Sequence, residues 1–391
     1  MRYNFDKVID RSGTSAEKVE GLKHIWGRTD LIPLWVADMD FATAPFVTDA
    51  IRKRCENEVL GYTGKPDSYY NAIINWVKQR YDLIVTKEVI NFVPGIVPGI
   101  GMAMNCFTQK GDKVMIQPPV YHPFAWVTTR NERTLVINPL RWENGMYRMD
   151  LDAFREQIKG CKLFILCNPH NPGGVVWTEA ELRAIADICY DEKVLVFSDE
   201  IHADLTLPPH THRPFATVSE KARMNSVTFM SPSKAFNMPG LSASHALIFN
   251  EDLRKRFRIY MDAGELDMGH VFAFLSVEAA YSHGTEWLDQ CLAYIQGNID
   301  FVDEFLHTHA PKIKAIRPEA SYLVWLDCRE LELSQKDLNE FFVDKAHLAL
   351  NDGEMFGKEG IGFMRLNVAS PRCIIEKAMK QLADAYQLYI K

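Results

Sequence analysis

Apolar residues in the middle of the chain fall into short β-branched runs, separated by longer stretches in which they recur every three to four positions. The runs at 113–117, 134–139, Cys161–Cys167, 194–198, Ser226–Met230 and 244–249 are strand candidates. Between two of them, Leu182, Ile185, Ala186 and Cys189 share one helical face, and Thr178 stands as a cap before Glu179 and Glu181. This spacing predicts a helix over 179–190 and with it a β–α–β unit. The alternation as a whole predicts an α/β layer architecture around a mostly parallel sheet. Beyond about residue 285 the pattern changes to a long amphipathic helix over 287–307, strand-like alternation over 313–326, then shorter helices. That is the pattern of a smaller α+β domain. The first forty residues carry little periodicity, with Trp26, Trp35 and the turn-forming Pro33 and Pro45, and are expected to run across the surface between the two parts.

Composition adds mainly exclusions. A chain of 391 residues, 47% hydrophobic and 24% charged, is long enough for two or three domains and a substantial core. Its 44 basic residues are outnumbered by 51 acids, for a net charge of -7, so it lacks the basic footprint of a general nucleic-acid binder. The eight cysteines include no C-x-x-C pair, which favours reduced thiols and a cytoplasmic setting, and the N-terminus has no apolar signal-peptide core. The uncharged stretch 89–109 approaches the length of a membrane span, but Pro94, Gly95, Pro98, Gly99 and Gly101 interrupt it. A tight turn followed by a buried helix explains it better, and no membrane association is expected.

Ligands of parallel α/β sheets sit beyond the carboxyl ends of the strands. Three successive strand candidates deliver polar groups there: N-P-H-N-P-G-G (168–174), D-E-I-H (199–202) and S-P-S-K (231–234).

Taken in this order, with W-V-A-D-M-D-F (35–41) and M-R-L-N (364–367) at either end, the motifs make the chain resemble the pyridoxal 5'-phosphate enzymes of the aspartate-aminotransferase fold, fold type I. Within them it is most similar to the MalY/PatB cystathionine β-lyase, or C–S lyase, family, and the resemblance covers essentially the whole chain. It implies a large domain, 46–284, with a mostly parallel seven-stranded sheet, and a small α+β domain made from 1–45 and 285–391. It also implies pyridoxal 5'-phosphate as cofactor, an amino-acid substrate and a homodimer with active sites at the subunit interface. Lys234 matches the amine that forms the Schiff base with the cofactor aldehyde. Asp199 matches the carboxylate that keeps the pyridine nitrogen protonated. Asn171 and His202 match the groups near the phenolic oxygen, the alternative for His202 being a hydrogen-bonded core histidine. Gly95, Ile96 and Val97 at a helix N-terminus, with the hydroxyls of Ser231 and Ser233, match the phosphate site. Tyr121 matches the residue stacked on the ring, either by stacking alone or with a catalytic part in proton transfer, and Tyr62 matches a tyrosine that reaches the neighbouring subunit's phosphate. Arg365 matches the fork that holds the substrate carboxylate, with Asn171 beside it. Trp35, Asp38 and Met39 match the stretch lining the substrate entrance.

Two departures bear on the reaction. Most aminotransferases of this fold place a phosphate-binding arginine eight residues after the lysine; here that position is Ser242, as in the C–S lyase branch. Gly173 replaces the usual threonine of N-P-x-N-P-T-G, a change expected to loosen one local hydrogen bond. The expectation is therefore β-elimination from L-cystathionine and related cysteine S-conjugates, giving a thiol (homocysteine), pyruvate and ammonia. The alternatives are a class I/II aminotransferase, or a regulatory protein-binding module that retains the cofactor. His210 and His212 lack an acid or cysteine at zinc spacing, so no metal site is expected.

Overall fold

The computed structural model of the protein describes residues 2–389. Seven short apolar runs form one sheet: β1 (Ile90–Val93), β2 (Lys113–Ile116), β3 (Thr134–Ile137), β4 (Cys161–Cys167), β5 (Leu195–Asp199), β6 (Ser226–Met230) and β7 (Ser244–Leu247). Their spatial order is β1-β7-β6-β5-β4-β2-β3. Every pairing is parallel except those of β7, which runs antiparallel to both β1 and β6. Parallel strands must be covered on both faces, and β4 to β7 accordingly show almost no exposed position.

The covering helices include α1 (Asp67–Tyr81), α2 (Ile96–Phe107), α3 (Glu179–Asp191) and α4 (Val271–His283). On one face α2 packs Ile100, Ala103 and Met104 among Phe197, Phe229 and Ala246. On the other, α3 packs Leu182, Ile185 and Cys189 among Phe164, Leu166 and Val196. Val196 and Phe197 are neighbours in β5, so the two clusters follow from the alternation of side chains along a strand. The cap foreseen for α3 is present as a full capping box between Thr178 and Glu181.

The remaining elements are α5 (Thr285–His309), β8 (Lys314–Ile316), β9 (Leu323–Asp327), β10 (Asn351–Asp352), β11 (Phe363–Asn367) and α6 (Arg372–Tyr389). They form an antiparallel sheet of order β8-β9-β11-β10. Ile295 and Ile299 of α5 and Ile375 and Met379 of α6 share its core with Val324 and Leu366. A mostly parallel seven-stranded sheet with a small α+β part is thus the architecture expected from the sequence. No helix among the described residues is long and apolar enough to cross a membrane.

Two expectations are corrected. The uncharged stretch begins with a strand, β1, buried at all four positions; it was hidden because a strand of four residues leaves no room for a period. The first forty residues do not simply cross the surface. They form a helix, Glu17–Trp26, and a strand, Ile32–Pro33, that pairs with Leu348–Ala349, while Phe5, Leu34 and Met39 are buried. Single apolar residues pinned by tertiary contacts carry no periodic signal. Positions 1, 390 and 391, the ends of the expected small domain, lie outside the described residues.

Candidate active site

The carboxyl ends of β4, β5 and β6 and the N-terminus of α2 open onto one cavity of about 210 Å³. Lys234, on the turn after β6, reaches into it and donates from Nζ to the Ala37 carbonyl at 2.5 Å. Burial lowers its pKa to about 8 and Arg365 pushes the same way, with Asp38 and Asp199 opposing. Asp199 ends β5, where one carboxylate oxygen accepts from the Ile201 N–H at 3.1 Å. Burial raises its pKa to about 7, the Ile201 bond opposes this, Glu200 adds to it, and Lys234 again opposes. Such a carboxyl is poised to ionise against an arriving buried cation.

His202 is buried, its Nδ1 has no partner, and burial lowers its pKa to about 3, so the ring is neutral. Asn171 lines the cavity beside it. Its N–H donates to Cys167 Sγ at 3.4 Å, and its side-chain oxygen accepts from Arg365 at 3.0 Å. Arg365, at the centre of β11, also donates to Asn351 at 2.5 Å and to the Trp35 carbonyl at 3.2 Å, and lies 4.7 Å over the Phe356 ring. Burial brings its pKa down to about 10, and its Nε is unpartnered. A buried guanidinium held by neutral oxygens, with a donor to spare, is a ready site for a carboxylate.

In the lining of the same cavity Gly95 caps α2 at φ 154, a backbone conformation that glycine adopts without strain. No side chain caps this helix, and Ile96 and Val97 line the cavity, so the helix N-terminus presents free N–H groups to an anion. Ser233 lines the same cavity. Ser231 stands just behind it, bonded to Ser233 at 2.9 Å and to the Ala243 carbonyl at 2.8 Å. Ser242, at φ 47, also faces the cavity. Tyr121 closes one wall, its phenol pKa raised by burial against the pull of Arg365.

Four candidates stand elsewhere. Asp38 and Met39 line a separate cavity, where Asp38 pairs with Arg11 at 2.6 Å. Tyr62 is 99% exposed and lies outside the cavity of its own chain. The Trp35 ring turns away, donating to the Lys18 carbonyl at 3.0 Å and packing edge-on against Trp26; only its carbonyl touches Arg365. Gly173 is a steric requirement, since an added Cβ would come within 2.9 Å of both His170 and Tyr147. Sequence reasoning missed the Ala37 carbonyl, Tyr322, Asn351, Phe356 and Asn367. The available signal was a buried polar residue within apolar runs, as at Tyr322 before Leu-Val-Trp-Leu and Asn351 after Leu-Ala-Leu.

The cavity therefore brings together anion donors, an ionisable acid and an amine, with a guanidinium bonded to Asn171 of its lining. Residues 29–382 match the aminotransferase class I and II family. The chain is 38% identical over 384 residues to the cystathionine β-lyase PatB of Bacillus subtilis (strain 168), covering 98% of this chain and 99% of that protein. Cystalysin from Treponema denticola, whose crystal structure contains a pyridoxal 5'-phosphate cofactor, superposes with a TM-score of 0.96 at 33% identity over 100% of both chains. The pyridoxal-phosphate-bound C–S lyase from Staphylococcus hominis superposes with a TM-score of 0.91 at 35% identity, over 99% of this chain and 98% of that one.

Proposed function

The chain belongs to the aminotransferase class I and II family, in its MalY/PatB group of pyridoxal-phosphate-dependent C–S lyases, and from that premise we propose that it splits the Cβ–S bond of L-cystathionine and related cysteine S-conjugates. The products are a thiol (homocysteine from cystathionine), pyruvate and ammonia. The observation that carries this reading is the Lys234 amine in a cavity that also holds Asp199 and the uncapped helix N-terminus, with Arg365 joined to its wall through Asn171. These groups fit the cofactor. The α2 N-terminus and the Ser233 hydroxyl suit its phosphate, Asp199 suits its ring nitrogen, and Asn171 and His202, whose Nδ1 has no partner, suit its ring oxygen.

When bound, pyridoxal phosphate supplies an aldehyde for an amine and an electron-withdrawing ring that stabilises negative charge at the substrate Cα. The protein's residues do the rest. Arg365 holds the substrate carboxylate in its fork, exchanging bonds to neutral oxygens for bonds to an anion. Lys234, with its amine free, would take the Cα proton; a pKa of about 8 leaves part of it as free base near neutral pH. The Cα electron pair becomes the Cα–Cβ double bond as the Cβ–S bond breaks, and sulfur leaves with both bonding electrons. Water converts the three-carbon remainder to pyruvate and ammonia. Tyr121, in the cavity wall with its phenol kept protonated by burial, would lie against the cofactor ring.

The site residues named from the sequence are proposed in these roles, except Trp35, whose ring is held by Lys18 and Trp26, together with the division into a large domain, 46–284, and a small one from both ends. The gap between the two sheets, one within 90–247 and the other within 314–367, supports that division. A homodimer is proposed because Val59, Leu60, Tyr62 and Met268 expose apolar surface on neighbouring loops. A cytoplasmic setting accords with eight free cysteines. The deciding experiment assays pyruvate and free thiol from cystathionine and S-methylcysteine, against amino transfer to 2-oxoglutarate. The proposal expects thiol and pyruvate in equal amounts, both abolished in Lys234→Ala. Amino transfer without thiol release would sink it.

A further inference from the structure

Lys234 and Arg365 belong to different parts of the molecule, one on the turn after β6 and the other on β11, yet one extended segment touches both. Arg365 donates to the Trp35 carbonyl at 3.2 Å, and Lys234 donates to the Ala37 carbonyl, two residues on, at 2.5 Å. This segment is fastened from both sides. From β11, the Asn367 side-chain amide donates to the carbonyls of Val36 and Asp38, each at 2.6 Å, and its backbone N–H donates to Leu34 at 2.9 Å. From the lysine turn, Asn237 donates to the carbonyls of Met39 at 3.0 Å and Phe41 at 2.7 Å, and accepts from the Met39 N–H at 3.0 Å. The hydroxyl of the buried Tyr322 donates to the Ala37 carbonyl itself at 2.9 Å.

Buried carbonyls outside regular structure need donors, and any donors would satisfy them. The placement here is narrower. Asn237 lies three residues after Lys234, Asn367 two after Arg365, and their bonds bracket Ala37 on both sides. The Lys234 amine is free before the cofactor is loaded and again whenever substrate has displaced it. A primary amine on a flexible four-carbon stem then has many rotamers to choose from, and an acceptor at a fixed point selects among them.

We propose that Asn367, Asn237 and Tyr322 are positioning residues: they hold the Ala37 carbonyl as the resting place of the free Lys234 amine, and tie that place to the arginine that binds the substrate carboxylate. The inference rests on the lyase reading of the site. It assigns these residues no contact with substrate or cofactor; they act through the carbonyl and the lysine.

The test uses Tyr322→Phe and Asn367→Asp in the full-length protein. The first readout is the rate at which a visible absorbance band grows when cofactor-free protein is mixed with pyridoxal phosphate. The second is kcat, KM and the kinetic isotope effect with Cα-deuterated cystathionine. Both variants are expected to reload about ten to a hundredfold more slowly and to lose a similar factor in kcat, the penalty of an amine displaced by about 1 Å. KM should stay within about threefold while the isotope effect rises, since only proton removal is slowed. Wild-type reloading rates and isotope effects in both variants would overturn the proposal, as would a raised KM with unchanged kcat. Should Asn367→Asp not fold, Tyr322→Phe, which removes one hydroxyl and leaves the ring, decides by the same measurements. If the wild-type protein releases no thiol at all, the lyase reading fails, and the reloading rate alone decides the role of these residues.

Discussion

At the scale of single residues, the buried ionisable groups of the cavity weigh on the stability of the protein. Asp199 has its pKa raised from 3.8 to about 7 by burial, so the folded state holds its proton more tightly than the unfolded chain. Nothing is lost below about pH 4, where both states are protonated; the penalty grows between pH 4 and 7 and is complete above 7. Three units correspond to about 4 kcal/mol, an upper figure for a single site. Lys234, lowered from 10.5 to about 8, works in the opposite direction: its penalty is complete below pH 8 and is relieved as pH rises towards 10.5. Cofactor-free Asp199→Asn is therefore expected to melt several degrees above the wild type at pH 8 and level with it near pH 4, while the loaded variant loses at least about a hundredfold in turnover. Thermal scans across pH check this, and an unchanged or lower melting temperature at pH 8 would refute it. Gly173 is a second case. Restoring the threonine common in related enzymes forces a Cβ within 2.9 Å of His170 and Tyr147, so Gly173→Thr is expected to destabilise by about 1–3 kcal/mol in a denaturant titration.

At the scale of elements, the end of α2 has the tight glycine turn before a buried helix that its sequence suggests. A twelve-residue helix without a capping side chain leaves N–H groups unpaired, and the Gly95 conformation turns them into the cavity. Gly95→Ala must adopt φ 154 with a Cβ, so the turn is expected to shift and the cofactor to dissociate at least about tenfold more readily, a loss read by dialysis followed by absorbance. The strands that place Asn171, Asp199 and Lys234 were legible because β4, β5 and β6 are continuous apolar runs ending in polar motifs. What stayed hidden shares a different character. The Ala37 carbonyl belongs to the backbone and has no signature in the residue that carries it. Asn351 and Asn367 act through pairings between distant strands, β10 with β11 and β11 with β9, which no local period encodes. Trp35 was read as a side chain at the entrance, whereas its ring is claimed by Trp26 and Lys18 and its carbonyl meets Arg365. Motifs announce side-chain chemistry at strand ends; the framework that holds those side chains comes from contacts far apart in sequence.

At the scale of the whole molecule, Tyr62 poses the remaining question. A tyrosine 99% exposed, on a loop with Val59 and Leu60 also exposed and Met268 across the same recess, does nothing for the cavity of its own chain. In a two-fold dimer each patch meets its copy, so a residue remote from its own site can complete its partner's. Hydroxyl donation from Tyr62 would add a further hydrogen bond at the phosphate end of the partner's cavity, where Ser242 brings no positive charge. Mixing two impaired proteins tests this directly. Tyr62→Ala retains Lys234 but cannot help its partner, whereas Lys234→Ala is dead in its own site but can still lend Tyr62. After unfolding together and refolding at equal concentration, half of the dimers are hybrids, and each hybrid has one site with both residues intact. About a quarter of all sites should then work at the wild-type rate, well above the average of the two parents. Activity equal to that average would place Tyr62 outside the partner's site, and a mass of one chain in solution would remove the dimer on which the argument depends.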